Sequence, residues 1–335
     1  MVWRHGYNKA CIKPDAACKR IGVFHRIAFV NLHGSYVRVS IKFIDTEANM
    51  VQQTVQIATE QGQPLGGTLF HADNIAHNSA ILICGGTGFL QKYYAALATW
   101  LADKGYTVLT FDYQGIGASR HGPLKQCDVR LQDWGTHDIP AALDYLLAYT
   151  GLSQAVLLGH SAGGQMLGVM DNHAKVSKVV AIAGSTGHVA NMRPEFARKV
   201  KFMFGLYMPL NNALFGHTKL KRIKWGEDLP RHVARQWAQW CSNGYYVKTA
   251  IDRGDIIVNY HADITQPITV IHADDDDIAN EANVAEFLSL YPNAHKNTFT
   301  LNPKEHGFHS IGHNLIFRPS HQALWDLILR EVQLL

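Results

Sequence analysis

Apolar positions in this chain fall into two recurring patterns. Short continuous apolar runs occupy residues 80–83, 106–111, 155–158, 178–183 and 268–272, each too short for a helix and flanked by turn-forming residues. Runs of that kind predict strands buried on both faces, as in a parallel sheet. Between them lie stretches of helical period over residues 91–104, 133–149, 280–290 and 320–334, the first two ended by Gly105 and Gly151 in the C-cap position. Residues 51–59 and 65–71 read as strands joined by a Gly- and Pro-containing linker, and residues 297–301 as a late strand. Strand–helix alternation predicts an α/β fold with a mostly parallel central sheet and helices on both faces. The alternation stops over residues 187–262, an aromatic-rich stretch with a helix predicted from 230 to 240, which reads as an inserted helical cap.

The first 49 residues do not share this rhythm. They hold eight Lys/Arg against three Asp/Glu, whereas the remainder holds 23 against 24. Two β-prone pieces, residues 27–30 and 36–39, suggest a hairpin. Met50 then opens a stretch that reads as the start of a domain spanning 50–335. The preceding arm is expected to be a poorly ordered or non-native extension. With the body near neutral, nothing argues for a nucleic-acid groove.

Five cysteines are scattered without a C-x-x-C pair or metal-ligand spacing, which suggests reduced thiols, a cytoplasmic protein and no metal or other cofactor. No apolar run reaches the length of about 18 residues needed for a membrane span, so stable membrane insertion is not expected.

The densest chemistry lies at residues 155–165. Four apolar residues run into Gly159-His160-Ser161-Ala162-Gly163, and a helix-compatible stretch follows. Strand, Gly-x-Ser-x-Gly and helix together form a nucleophile elbow. Such a turn strains the backbone at Ser161, and a Cβ at Gly159 or Gly163 is expected to collide with neighbouring chain. His160, inside the motif, reads as a packing residue. A serine hydroxyl needs a base and the base an orienting acid, in the chain order Ser, acid, His. The acid belongs in the run Asp274-Asp275-Asp276-Asp277, where like charges forbid burying all four; spacing favours Asp276, with Asp274 or Asp277 as fallback. The base belongs among His306, His309 and His313, and Gly312 beside His313 favours the last. Oxyanion donors are expected from the Ala162 N–H and from Thr87 or Gly86 in Gly85-Gly86-Thr87-Gly88, a run that lacks P-loop and dinucleotide signatures.

From about residue 50 onward the chain resembles the α/β-hydrolase superfamily in its esterase/lipase-like branch. The likeness rests on Gly85-Gly86-Thr87-Gly88, on residues 112–119 (similar to the family's Asp-x-Arg-Gly-x-Gly-x-Ser loop), on the elbow, and on residues 311–318. It implies a triad of Ser161, Asp276 and His313 beneath the cap. Gln114 departs from the pattern, standing where the family carries Arg, which puts that loop's ion pair in question.

The leading expectation is a serine hydrolase cleaving small-molecule carboxylic esters through an acyl-enzyme. The same triad also suits a thioesterase or acyltransferase, and a catalytically silent ligand-binding relative forms the alternative from another class. Dehalogenase and epoxide hydrolase chemistry is disfavoured because it needs Asp at position 161. Within the cap, Phe202, Phe204, Tyr207 and Met208 are candidate walls of an acyl pocket, with Leu206 and Leu210 beside them. Lys199 and Lys201 alternatively suggest brief contact with a membrane surface.

Overall fold

A computed structural model describes residues 23–32, 35–44, 50–60, 62–72 and 79–333. Twelve strands are present among them. β1 (Val23–Leu32) and β2 (Ser35–Ile44) pair antiparallel as the hairpin expected within the arm; the rest of that arm lies outside the described residues. Eight strands form the main sheet: β3 (Met50–Ile57), β4 (Leu65–Ala72), β5 (Ala80–Cys84), β6 (Thr107–Phe111), β7 (Ala155–His160), β8 (Val176–Ile182), β11 (Ile268–Ala273) and β12 (Lys296–Leu301). Their spatial order is β12-β11-β8-β7-β5-β6-β4-β3. The six strands from β12 to β6 run parallel, while β4 and β3 add an antiparallel edge. Two-residue strands β9 (His217–Thr218) and β10 (Leu229–Pro230) pair within the cap.

The continuous apolar strands are two-sided, as their composition predicts. Alternate side chains of β5 point to opposite faces. Leu82 and Cys84 join the core containing Ala142, Leu143 and Leu146 of α3 (Ile139–Thr150). Ile81 and Ile83 join the second core, with Leu97, Ala98 and Leu101 of α1 (Ala95–Asp103) and with Trp325, Ile328 and Val332 of α9 (Trp325–Gln333). Helices therefore cover both faces. α3 is preceded by α2 (Leu131–Asp133) and a π turn, and α8 (Glu281–Ser289) follows β11. The cap consists of α4 (Pro194–Phe202), a π turn (Met203–Tyr207), α5 (Met208–Phe215), α6 (Arg231–Asn243) and α7 (Lys248–Asp252).

One expected element is missing. The stretch after Ser161 is two short 3-10 turns, Ser161–Gly164 and Leu167–Val169, rather than a helix. Three glycines within six residues weaken helix propagation there. Gly168 also lies against His261, where a Cβ would sit 2.4 Å from the ring, and its carbonyl accepts the Tyr260 N–H at 2.8 Å. A long-range bond thus replaces a helical one.

Candidate active site

After β5 the chain passes to β6 on one side and then crosses to β7 on the other. Loops from neighbouring strands part at that point, and crevices outside the carboxyl ends of the strands are where open α/β sheets bind ligands. Ser161 emerges there with φ +48, a left-handed conformation that few non-glycine residues adopt. The glycines beside it are required by contact. A Cβ on Gly159 would stand 2.3 Å from Gly164 Cα, and one on Gly163 would stand 2.2 Å from the Cys84 carbonyl oxygen.

The four consecutive aspartates each have a different partner. Asp276 is buried, and its Oδ2 lies 2.7 Å from His313 Nδ1. Its Oδ1 accepts the Ile278 and Ala279 N–H groups at 2.8 and 3.1 Å. Burial on its own raises this carboxyl, but the facing His313 and the two amides outweigh it and hold Asp276 below the ordinary carboxylate value. Asp275 turns to the loop that carries the histidine, accepting from Ser310 Oγ at 2.6 Å and from the Gly312 N–H at 2.8 Å. Asp274 accepts from Asn302, and Asp277 pairs with Arg193. The N-cap of α8 is Asn280, whose side chain accepts the Asn283 N–H at 3.0 Å. His306 and His309 are exposed.

Gly312 has φ +51, and a Cβ there would approach nothing closer than Ser310 Oγ at 3.7 Å. Glycine is therefore favoured there by backbone conformation and not by crowding.

His160 is more than packing. It is fully buried between Phe89 and Phe317, each with its ring centroid 4.8 Å away. Its Nε2 lies 3.0 Å from the His313 carbonyl, which only accepts, so Nε2 carries the proton. Nδ1 then accepts from the Tyr94 hydroxyl at 2.8 Å, and that hydroxyl accepts the Gly86 N–H at 2.9 Å. Burial, reinforced by the neighbouring His313, pushes the His160 imidazole down to about 3, so it stays neutral. One chain of bonds therefore links the backbone of His313 to the loop after β5. The same chain corrects one expectation: the Gly86 N–H is committed to Tyr94, so Thr87 remains as that loop's candidate oxyanion donor beside Ala162.

Ser161, His313 and Thr87 line a single cavity of about 500 Å³. Its walls include Phe196 and Val200 from α4, Phe204 from the π turn that follows, and Trp225, Trp237 and Ile278. Of the four pocket residues expected from the cap, only Phe204 lines it. Phe202 is 60% exposed, Met208 is buried within the cap, and the Tyr207 hydroxyl donates to the Lys219 carbonyl at 2.7 Å. Positions 196, 200 and 204 form the stripe that faces the cavity; Phe202 points away from it, whereas Tyr207 and Met208 continue the same face further along the chain, packed into the cap core instead of the cavity. Two cations, Lys224 and Arg318, also line the cavity, and no Asp or Glu among the described residues does. Gln165 carries a buried side-chain oxygen without a hydrogen-bond partner among the described residues, and the buried hydroxyls of Thr87 and Tyr246 lie near each other on the same wall. Tyr246 has φ +45, and burial raises its phenol well above the ordinary value, an effect the nearby Thr87 hydroxyl partly offsets. Neither Tyr246 nor Gln165 stands out in the sequence, because no local pattern marks which residues of a cap or turn face a distant cavity.

Gln114 explains the changed loop. Its N–H and Nε2 donate to the two oxygens of Asp138 at 2.8 and 2.7 Å. An amide supplies hydrogen bonds but no positive charge, so burial dominates and raises the Asp138 carboxyl to about 7. Where an Arg at position 114 would set a positive charge beside Asp138, Gln114 donates hydrogen bonds to a carboxyl raised toward neutral pH.

Sheet order, elbow and late histidine define an α/β-hydrolase. The chain belongs to the family described as serine aminopeptidase, S33, whose model matches residues 76–313. Two curated proteins of Mycobacterium tuberculosis, "Uncharacterized protein Rv2307c" and "Uncharacterized protein MT2364", are each 34% identical over 109 residues, covering 30% of this chain and 39% of theirs. The match thus spans about two-fifths of those relatives. Among solved structures, an esterase from Pyrococcus furiosus superposes with TM-score 0.56 at 15% identity, over 84% of this chain and 90% of its own. A monoacylglycerol lipase from Paleococcus ferrophilus superposes with TM-score 0.50 at 14% identity, over 80% and 99%. At such identities the likeness is one of fold.

Proposed function

We propose that this hydrolase cleaves carboxylic esters through an acyl-enzyme on Ser161. The observation that carries the reading is the convergence on one cavity of a serine in a left-handed turn and a histidine whose Nδ1 faces a buried, charge-favouring Asp276. Asp276 fixes the imidazole with Nδ1 protonated, which leaves Nε2 to take the Ser161 proton and return it to the leaving alcohol. The N–H groups of Ala162 and Thr87 are the donors for the tetrahedral oxyanion. Water then repeats the sequence and releases the acid. An apolar, aromatic cavity suits an acyl or aryl group. The cations Lys224 and Arg318 on the cavity wall disfavour aminopeptidase activity, since they would repel a free α-ammonium. Lys224 and Arg318 favour one second reading, a thioester with an anionic thiol leaving group. The free thiols of Cys84, Cys127 and Cys241 fit a reducing, cytoplasmic setting.

The test is labelling by a fluorophosphonate together with hydrolysis of p-nitrophenyl esters of graded chain length and of an acyl-coenzyme A. Wild type should label and turn over. Ser161→Ala should lose the label and on the order of 10³-fold or more of kcat/KM. Labelling that survives in Ser161→Ala removes the nucleophile assignment. Faster turnover of the thioester than of every aryl ester selects the second reading.

A further inference from the structure

The helical run from Pro194 to Phe215 is apolar on two sides. Phe196, Val200 and Phe204 face the cavity. On its other side Phe202, Leu206, Leu210 and Leu214 recur every four residues and are 60, 55, 52 and 65% exposed. A soluble surface helix ordinarily places polar residues on its outer face, and a contiguous exposed apolar stripe marks an interaction surface. The π turn keeps the stripe in register across Pro209, whose missing N–H cannot support an ordinary α-turn.

Charge identifies what such a stripe meets. Residues 193–225 carry eight Lys/Arg and one Asp/Glu, a balance of +7 in a chain whose total is +4, so the rest of the chain is at −3. Arg198 stands one turn before Phe202 on the same helix, and at the other end the Lys219 ammonium sits 3.3 Å from the centre of the Phe215 ring. Two of the eight cations, Arg193 and Lys221, are paired with Asp277 and Glu227. A symmetric contact between two copies through this face would set the cations bordering the stripe, Arg198 and Lys219 among them, against their own copies, which disfavours a dimer. An apolar ridge bordered by cations matches the headgroup and acyl boundary of an anionic bilayer.

We infer that the outer face of this cap helix, Phe202-Leu206-Leu210-Leu214 with its bordering Arg and Lys, docks the protein reversibly on an anionic lipid surface. The inner stripe of the same helix lines the cavity, so docking brings the cavity wall next to the lipid. The inference does not rest on the assignment of Ser161, and Ser161→Ala should bind vesicles like wild type.

The experiment is flotation of the full chain with vesicles of phosphatidylcholine alone or with about a third phosphatidylserine. Wild type should float with the anionic vesicles, at least about tenfold more weakly with neutral ones, and progressively less as salt rises. Leu206→Ser/Leu210→Ser/Leu214→Ser should lose about tenfold or more of vesicle binding, while hydrolysis of a soluble short-chain ester stays at the wild-type level. Charge removal by Arg198→Gln/Lys219→Gln should weaken only the anionic-vesicle arm. Equal binding to both vesicle types, or undiminished binding by the serine variant, overturns the inference. So does a concentration-dependent dimer of wild type, seen by sedimentation and absent in the serine variant, without vesicle binding: that result makes the face an interface between copies.

Discussion

At the scale of single residues, His160 and Asp276 act on His313 from different sides, and replacing each separates position from chemistry. Asp276→Asn keeps an oxygen for the Ile278 and Ala279 amides, but its amide nitrogen forces the other imidazole tautomer. On the proposed mechanism kcat should fall by about 10⁴-fold with folding intact, checked by ester turnover and circular dichroism. His160→Leu retains contact with Phe89 and Phe317 while removing the link between Tyr94 and the His313 carbonyl. Loss of that tether should lower kcat by about 10- to 100-fold with KM little changed, measured on a p-nitrophenyl ester. An unchanged kcat with only a lowered melting temperature would make His160 a packing residue after all. Sequence distinguished Asp276 from its neighbours by spacing alone. It left His160 as packing because its partners, Tyr94 and the His313 carbonyl, lie 66 and 153 residues away.

Elements show why glycines that look alike in sequence serve different ends. At Gly163 an added Cβ meets the Cys84 carbonyl at 2.2 Å, a backbone atom of a central strand that cannot give way. At Gly312 an added Cβ makes only an ordinary contact with Ser310 Oγ at 3.7 Å, and only the φ of +51 resists it. Gly163→Ala should therefore cost about 3 kcal/mol or prevent folding, whereas Gly312→Ala should cost about 1–2 kcal/mol, both read from urea unfolding. Strand positions were legible because continuous apolar runs have few alternatives in a two-sided sheet. The helix after the elbow was misread because its apolar composition suits a helix, while Gly163, Gly164 and Gly168 serve contacts with Cys84, Ala181 and His261 that are distant in sequence. Cap residue 202 departs from the expected pocket wall for a related reason, while Tyr207 and Met208 pack into the cap core instead. Periodicity tells that a helix has faces, but not which face a sheet will cover.

Over the whole molecule, buried titratable groups pull stability in opposite directions with pH. Asp138 releases its proton near 3.8 when unfolded and near 7 when folded, so its contribution is lost as pH rises between those values. His160 and His261 are depressed by burial from 6.5 to about 3 and about 4, so their contribution is lost as pH falls below 6.5. Asp138→Asn keeps hydrogen bonds to Gln114 if the Gln114 amide flips. Its stability relative to wild type should rise from pH 4 to pH 7 and then level off, as measured by thermal melts across that range. The same relative stability at both ends would mean that Asp138 is ionised in the folded protein. Taken alone, the order of residues determined the alternation of strand and helix, the strained serine turn, and the succession of serine, carboxylate and histidine, because these depend on local sterics and on spacing along the chain. Tertiary structure decided which of four aspartates and three histidines face each other, which loop amide stays available, and which stripe of the cap helix lines the cavity. Those outcomes depend on contacts between segments far apart in the chain, such as the Tyr93 hydroxyl on the Asn314 carbonyl 221 residues away, and no local pattern encodes them.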